Sequence, residues 1–171
     1  MDIQVAAAAS ATVGVLSWAG GWARCALGRA GIRADKQEGD GATPAGVFPL
    51  RRLLYRADRL TRPTTLLESA PIRPDDGWCD DPADLHYNRP VRLPYPARHE
   101  VLWREDRLYD LIVVLGHNDD PVVPGAGSAV FLHVAAEDDT PTAGCVALAK
   151  GDLLSLLAAC RSGDRLAISL L

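Results

Sequence analysis

Glycine and proline interrupt the chain at short intervals along its whole length, with 15 glycines and 12 prolines among 171 residues. Because proline removes a backbone donor and glycine favours turns, long helices cannot run through such a sequence. The apolar runs between these residues are short and often β-branched, and YDLIVVLG and AVFLHV are the clearest. We therefore predict strands at residues 12–18, 22–27, 47–55, 108–115, 129–134 and 166–170.

One segment has helical character. Leucines recur at helical spacing over residues 150–160, Asp152 is a candidate N-terminal cap, and Gly163 follows the last turn. No internal repeat or low-complexity linker divides the chain. We expect residues 1–171 to form a single mainly β domain, a β-sandwich or open barrel, with this helix packed on it. Residues 63–100, rich in Pro, Asp and Arg, are predicted to form a long loop with short pieces of structure.

Charge and hydrophobicity argue against a nucleic-acid-binding face and against a transmembrane helix. The net charge is −4, and basic and acidic residues are interleaved, whereas a nucleic-acid-binding face needs clustered Lys and Arg. No stretch is long and apolar enough for a transmembrane helix.

The Ala-rich residues 1–22 contain an acidic Asp2 and no basic region before their apolar part. We interpret them as the first strand or two of the fold, with a weak export signal as the alternative.

The chain has four cysteines, at positions 25, 79, 145 and 160, and no C-x-x-C pair. A zinc knuckle and a disulfide-based scaffold are therefore disfavoured. A disulfide between Cys25 and Cys79 remains an open alternative, and Cys160 is expected on the buried face of the helix. Cys145 differs from the others because it follows a glycine in a turn, twelve residues after His133.

His133 and Cys145 together have the parts of a nucleophilic site. A thiol attacks a carbonyl as thiolate, and a histidine within reach is the usual base. His133 lies at the end of the predicted strand AVFLHV, and TPTAGC supplies a turn whose amides can stabilise an oxyanion. The pair can meet if the intervening loop folds back. The alternative is a buried structural cysteine and a structural histidine.

Two stretches of the sequence resemble a known family. FLHV…TPTAGCVAL is similar to the signature of the YkuD-type L,D-transpeptidase catalytic domain, in which a His ends an apolar strand and a Ser/Thr-x-Gly-Cys-Val turn follows. DKQEGDGATPAGVFPL, residues 35–50, resembles the upstream hairpin of the same family. The two stretches and the strand between them cover most of the chain, in the expected order.

The resemblance implies a β-sandwich fold with a helix after the Cys turn, and a function. Cys145 would be the nucleophile and His133 the general base, with an oxyanion hole formed by the amides of Ala143, Gly144 and Cys145. The reaction would be acyl transfer on peptidoglycan stem peptides, through a thioacyl intermediate and with no cofactor or metal. Carbapenem β-lactams would act as covalent inhibitors, and the location would be the cell envelope or periplasm.

Three departures from the family pattern leave alternatives open. Val134 follows the His where the family usually has Gly, Ala147 stands where Arg or Asn is usual, and the loop from His133 to Cys145 is short. An Arg can bind a carboxylate with two hydrogen bonds, and Ala cannot. Hydrolysis by an L,D-carboxypeptidase or amidase, and a non-catalytic cell-wall-binding module, are therefore alternatives to transpeptidation.

Further residues are candidates for substrate binding. His117 and Asn118 follow the strand YDLIVVLG, and Thr142 lies in the Cys145 turn. Trp78, with Tyr87 and Asn88, could line a groove for a glycan or stem peptide. The alternative for Asn118 is a polar turn that bonds its own backbone.

Metal-binding interpretations of the candidate residues are less favoured. A zinc site of His117, His133 and Cys145 lacks the usual spacing, and the Asp-rich loop after residue 74 lacks a calcium-loop pattern. Lys36, Glu38 and Asp40 are interpreted as turn residues rather than as part of the chemistry.

Overall fold

Short strands joined by turns make up most of the molecule. The computed structural model describes residues 1–8 and 10–170. In chain order the elements are β1 (Asp2–Ala7), β2 (Val13–Trp18), β3 (Gly21–Ala26), β4 (Ile32–Arg33), β5 (Thr43–Pro44), β6 (Gly46–Tyr55), β7 (Ser69–Pro71), β8 (Asp76–Cys79), β9 (Pro90–Arg92), β10 (His99–Val101), β11 (Leu111–Leu115), β12 (Phe131–Val134), β13 (Val146–Leu148), α1 (Lys150–Ala159) and β14 (Arg165–Leu170).

In the described residues the main sheet has nine strands: β7 pairs with β6, and the other eight close into a ring. Their order is β11, β12, β13, β3, β2, β1, β14 and β6, and β6 also pairs with β11. The neighbours in this ring are antiparallel except for two parallel pairs, β1 with β14 and β12 with β13. The predicted mainly β fold with a helix after the Cys145 turn is confirmed, and its sheet is a closed barrel. The Ala-rich start forms β1 and β2, as predicted.

β11 separates two apolar cores. Leu111, Val113 and Leu115 belong to the barrel core, whereas Ile112 and Val114 belong to a second cluster on the outer face. A strand buried on both faces reads as a continuous apolar run, which explains the sequence LIVVL. Trp78 and Phe131 pack edge-on in the second cluster, which we call the outer core.

The segment of residues 63–100, predicted as a long loop with short pieces of structure, contains short strands of three or four residues. Its strands β8, β9 and β10 form a three-stranded antiparallel sheet, in the order β10, β8, β9. Trp78 of β8 belongs to the outer core, together with residues of β11 and β12. The small sheet therefore covers the outer face of the barrel at the place where Cys145 is found.

The helix and several strands differ from the predicted bounds at their ends. The cap of α1 is Ala149, without a side-chain hydrogen bond, and Asp152 lies in the first turn, where its charge favours the helix dipole. The prediction of Asp152 as the cap was therefore wrong. β12 begins at Phe131 rather than at residue 129, because Ala129 has a φ of 50° and leaves the extended conformation.

Candidate active site

The parallel pairing of β12 and β13 brings His133 and Cys145 to one face of the sheet. Leu132 pairs with Val146 and His133 with Ala147, so Cys145, one residue before β13, lies opposite Phe131. Side chains alternate between faces along a strand. Phe131 and Cys145 accordingly belong to the outer core, and Leu132 and Val146 to the barrel core. His133 shares the face of Phe131 and is therefore a diagonal neighbour of Cys145.

The thiol of Cys145 is held by two backbone groups. The Phe131 N–H donates to Sγ over 3.3 Å, and the S–H donates to the Ala129 carbonyl, also over 3.3 Å. The side chain is 7% exposed. Burial, and to a smaller extent the nearby Glu100 carboxylate, together raise the pKa of Cys145 to about 12, against opposing effects of the Phe131 amide and Lys36. The resting side chain is therefore a neutral thiol.

The imidazole of His133 is also neutral, and in the described part of the chain only its Nδ1 has a side-chain hydrogen bond within normal distance. Nδ1 lies 2.8 Å from the Val134 carbonyl, and because a carbonyl only accepts, Nδ1 carries the proton and Nε2 keeps its lone pair. The ring packs edge-on against Tyr109, with 5.3 Å between the ring centroids. Burial lowers the pKa of His133 to about 4, so the ring is an unprotonated base at neutral pH.

His133 and Cys145 line one cavity without a hydrogen bond between them. This histidine cavity has a volume of about 260 Å³, and Tyr109, Pro141 and Ala147 are among its other walls. The S–H instead points to the Ala129 carbonyl. Rotation of the Cys145 side chain is therefore needed before the thiol can pass its proton to the imidazole, and such loose geometry is common in unliganded sites.

The turn before Cys145 requires a glycine and is braced by two threonines. Gly144 has a φ of 141°, and a Cβ there would lie 2.8 Å from the Ala42 carbonyl oxygen. The Thr142 hydroxyl accepts the Gly144 N–H over 3.1 Å and donates to the Cys145 carbonyl over 2.7 Å. The buried Thr43 hydroxyl donates to the same carbonyl over 3.4 Å. Thr142, predicted as a substrate-binding residue, thus braces the turn as well as lining the histidine cavity.

The three amides predicted as an oxyanion hole differ in their hydrogen bonds. The Gly144 amide already donates to Thr142. The Ala143 and Cys145 amides donate to no other residue in the described part of the chain. Both residues line cavities beside the thiol. Ala143 and Cys145 therefore have N–H groups free to bind a ligand oxygen.

A second cavity adjoins Cys145 on the side away from His133. This charged cavity has a volume of about 210 Å³, and Ala143, Cys145 and Glu100 separate it from the histidine cavity by lining both. Six of its lining side chains are of charged types and come from separate stretches of the chain: Arg29, Lys36, Glu38, Asp80, Arg98 and Glu100. A substrate that reaches Cys145 through one cavity leaves the other open to a second molecule.

His117 and Asn118 lie outside both cavities. His117 Nε2 is 3.0 Å from the Ala126 carbonyl, and burial lowers its pKa. The Asn118 side chain donates to the carbonyls of Val123 and Gly127 and accepts the Val123 N–H. Asn118 has a φ of 50°. Asn118 therefore holds its own loop together, as in the alternative stated from the sequence.

Trp78 and Asn88 lie behind the site rather than in it. The Trp78 indole N–H donates to Asn88 Oδ1 over 3.0 Å, and its ring packs on Phe131. Asn88 also accepts the Ala129 N–H over 3.1 Å and donates to the carbonyls of His117 and Asn118. Asn88 thus positions Ala129, whose carbonyl holds the Cys145 thiol. Trp78 lines neither cavity beside Cys145.

Four residues that line the site were not predicted from the sequence to take part in its chemistry. Lys36 and Glu38 were interpreted as turn residues, and both line the charged cavity. Their place in the stretch DKQEGDGATP was the available signal. Glu100 and Tyr109 carried no signal, because only the small sheet and β11 bring them to Cys145.

The described residues do not support a metal site or a disulfide bond. No group of three or more His, Cys, Asp or Glu side chains among them could hold a metal ion. His117 is hydrogen-bonded to the Ala126 carbonyl and His133 to the Val134 carbonyl, so the two rings do not share a site. Arg92 pairs with Asp75 and Asp76, and Arg98 with Asp80, so these loop carboxylates are neutralised by arginines. All four cysteines, Cys25 and Cys79 included, are free thiols.

Comparison with known proteins identifies the family. The model of the YkuD L,D-transpeptidase catalytic domain matches residues 13–168. Searches among curated proteins and among solved structures found no match. Within the described ranges, no helix has the length and apolar character to cross a membrane. Residues 13–168 span nearly the whole chain, and the chain therefore belongs to the YkuD L,D-transpeptidase catalytic domain family.

Proposed function

We propose that this protein is a cysteine acyltransferase that acts on peptidoglycan stem peptides through a thioacyl intermediate on Cys145. The observation that carries the proposal is the junction at Cys145. There a thiol, an unprotonated imidazole on the same sheet face and two free amides border two cavities. Membership of a family associated with the cell wall supports the substrate class, and it makes the cell envelope the expected location.

The first half-reaction forms the thioester. His133 Nε2 takes the proton of the Cys145 thiol, and the thiolate attacks the carbonyl of the amide between an L-centre and a D-amino acid. The N–H groups of Ala143 and Cys145 donate hydrogen bonds to the oxyanion, and Gly144 allows the close turn that presents them. The protonated His133 returns its proton to the leaving amine, and the acyl group remains on Sγ.

The second half-reaction releases the acyl group to an acceptor. An amine from a second stem peptide attacks the thioester carbonyl, and the Cys145 thiolate leaves. Water in place of the amine would make the enzyme a hydrolase. A cavity on each side of Cys145 favours transfer, because donor and acceptor can be held at the same time.

Acylation by a carbapenem tests the nucleophile. The strained β-lactam carbonyl needs only an activated thiol and an oxyanion hole, so intact-protein mass spectrometry should show one adduct on the wild type. Cys145→Ser should show none, although its other three thiols remain and serve as an internal control. His133→Gln should slow the reaction about 100-fold or more, as expected for loss of a general base. An adduct that persists in Cys145→Ser would contradict the proposal.

Products formed with and without an amine distinguish the alternatives. A transferase incorporates the added amine into a stem-peptide product, whereas a carboxypeptidase or amidase yields only the hydrolysed acid. Binding to purified sacculi without an adduct on Cys145 would instead indicate the non-catalytic module.

A further inference from the structure

Glu100 is the acidic residue that lines both cavities beside Cys145. It lies in β10, the edge strand of the small sheet, and its side chain is partly buried. It lines both the histidine cavity and the charged cavity, as Ala143 and Cys145 do. Its charge also acts on the Cys145 thiol. Any acyl group on Cys145, and any molecule that attacks it, would therefore meet Glu100.

The Glu100 carboxylate has fewer hydrogen bonds and ion pairs than the Asp80 and Glu38 carboxylates of the charged cavity. It accepts one hydrogen bond, from the Tyr109 hydroxyl over 2.7 Å. Among the residues described by the structure, no cation forms an ion pair with it. By contrast, Asp80 pairs with Arg98, and Glu38 accepts the hydroxyls of Tyr87 and Ser128. A carboxylate has about four acceptor positions, so Glu100 keeps capacity for a donor from a ligand.

This charge is unfavourable for the first half-reaction. A carboxylate near Cys145 disfavours the thiolate, and it raises the pKa of the thiol. An uncharged side chain would serve thioester formation better. The position of Glu100 is therefore better explained by a step in which a positive charge enters the site.

The second half-reaction brings in such a charge. An alkyl amine is an ammonium ion at neutral pH and has no lone pair for attack. Transfer of the acyl group from sulfur to the ammonium nitrogen breaks two N–H bonds and forms one S–H bond, which leaves one proton over. His133 can carry one proton from nitrogen to the Cys145 thiolate. The other proton needs a second acceptor, and for the ammonium form that predominates at neutral pH a base within the site can serve.

We propose that Glu100 is the catalytic base that takes the first proton from the acceptor ammonium. One N–H bond breaks, an O–H bond forms on the Glu100 carboxyl, and the freed nitrogen lone pair attacks the thioester carbonyl. The second proton then passes through His133 Nε2 to the departing Sγ. The proposal rests on the proposed function and extends it to the acceptor. Burial raises the pKa of Glu100 above its usual value, which strengthens it as a base.

Glu100→Gln tests this assignment, because the amide keeps the shape and can still accept the Tyr109 hydrogen bond. The variant should be acylated by a carbapenem at least as fast as the wild type. With a stem-peptide donor and an alkyl amine at neutral pH, it should form transfer product about 100-fold more slowly. The hydrolysis product should not fall in parallel, because water carries no extra proton. Glu68→Gln, an exposed carboxylate outside both cavities, is the matched control.

The protonation state of the acceptor gives a sharper readout. Hydroxylamine is largely unprotonated at neutral pH, so its transfer should be equally fast in wild type and Glu100→Gln. For an alkyl amine the deficit should shrink as the pH rises and the free amine becomes more abundant. A purely structural role would slow both acceptors alike.

Three outcomes would overturn the proposal. They are an equal loss of carbapenem acylation and amine transfer, an undiminished transfer to the alkyl amine, and a deficit that is the same for both acceptors. If Glu100→Gln fails to fold, Glu100→Asp replaces it, with a shortened base and the same acceptor-dependent deficit expected. Absence of a carbapenem adduct on the wild type would instead count against the proposed function itself.

Discussion

At the scale of single residues, the thiol and the imidazole are both neutral in the resting protein. Burial raises the pKa of Cys145 to about 12 and lowers that of His133 to about 4. The two shifts have the same physical origin, since each charged form loses its hydration. The site is therefore not a preformed thiolate–imidazolium pair, and in the proposed mechanism the proton moves from the thiol to the imidazole during attack.

The pH dependence of carbapenem acylation follows from this neutral pair. The reactive form needs His133 unprotonated and Cys145 protonated, so the rate should stay level from about pH 5.5 to 9. It should fall only as the pH drops through about 4, where His133 gains its proton. Adduct formation timed by mass spectrometry measures this, with circular dichroism as the check on folding at each pH. A midpoint near 6.5, the ordinary histidine value, would contradict the burial argument.

At the scale of elements, the geometry of the candidate site depends on a turn between two parallel strands. The connection from β12 to β13 runs through residues 135–145, and Thr142 and Thr43 hold its end by the Cys145 carbonyl. Gly144 lies in this turn against the Ala42 carbonyl. The direction of the free N–H groups of Ala143 and Cys145 therefore depends on this turn as well as on the two strands.

Gly144→Ala should therefore impair the site. The added Cβ would meet the Ala42 oxygen at 2.8 Å in a left-handed backbone, which an alanine adopts at a cost of about 1–2 kcal/mol. We expect lower stability to urea and at least a tenfold loss of carbapenem acylation. Gly151→Ala, in α1 with open space around its Cβ, is the control and should gain up to about 1 kcal/mol. Equal behaviour of the two variants would contradict the steric explanation.

At the scale of the whole molecule, Asp110 joins three parts of the chain. Its buried carboxylate accepts from Arg59, which follows β6, over 2.9 Å, and from Lys150 at the start of α1 over 3.1 Å. Burial alone would raise the pKa of Asp110, but the hydrogen bonds from Arg59 and Lys150 outweigh it and hold the pKa below the usual value. The charged form is thus the stable one in the folded protein.

Asp110→Asn should destabilise the fold by about 2 kcal/mol at neutral pH, because it leaves two cations without their partner. A lowered pKa means that this stabilisation is present above the ordinary aspartate pKa and is lost as the pH falls below it. The difference between wild type and variant in urea unfolding should accordingly shrink below about pH 4. Asp75→Asn removes an exposed ion pair with Arg92 and should change stability by less than about 1 kcal/mol. A comparable loss in both variants would rule out a special role for Asp110.

Local patterns made most of the elements predictable. Strand, turn and helix signals depend on residues close in the chain, and β6, β11, β12 and α1 lie within a few residues of their predicted bounds. The errors occur where one residue changes the backbone, as at Ala129, or where the cap lacks a side chain, as at Ala149. Closure of the sheet through β6 and β11 is a pairing of distant strands, for which the sequence carries no local signal.

The sequence by itself determined the mainly β class, the turn before Cys145 and the candidate pair of Cys145 and His133, because each is carried by short motifs. Only the tertiary structure decided which groups surround that pair. The small sheet brings Glu100 to the junction of the two cavities, and the barrel leaves Trp78 and Asn118 outside them. Burial depends on what packs against a side chain from elsewhere in the chain, so the neutral state of the thiol and the imidazole was also a property of the fold.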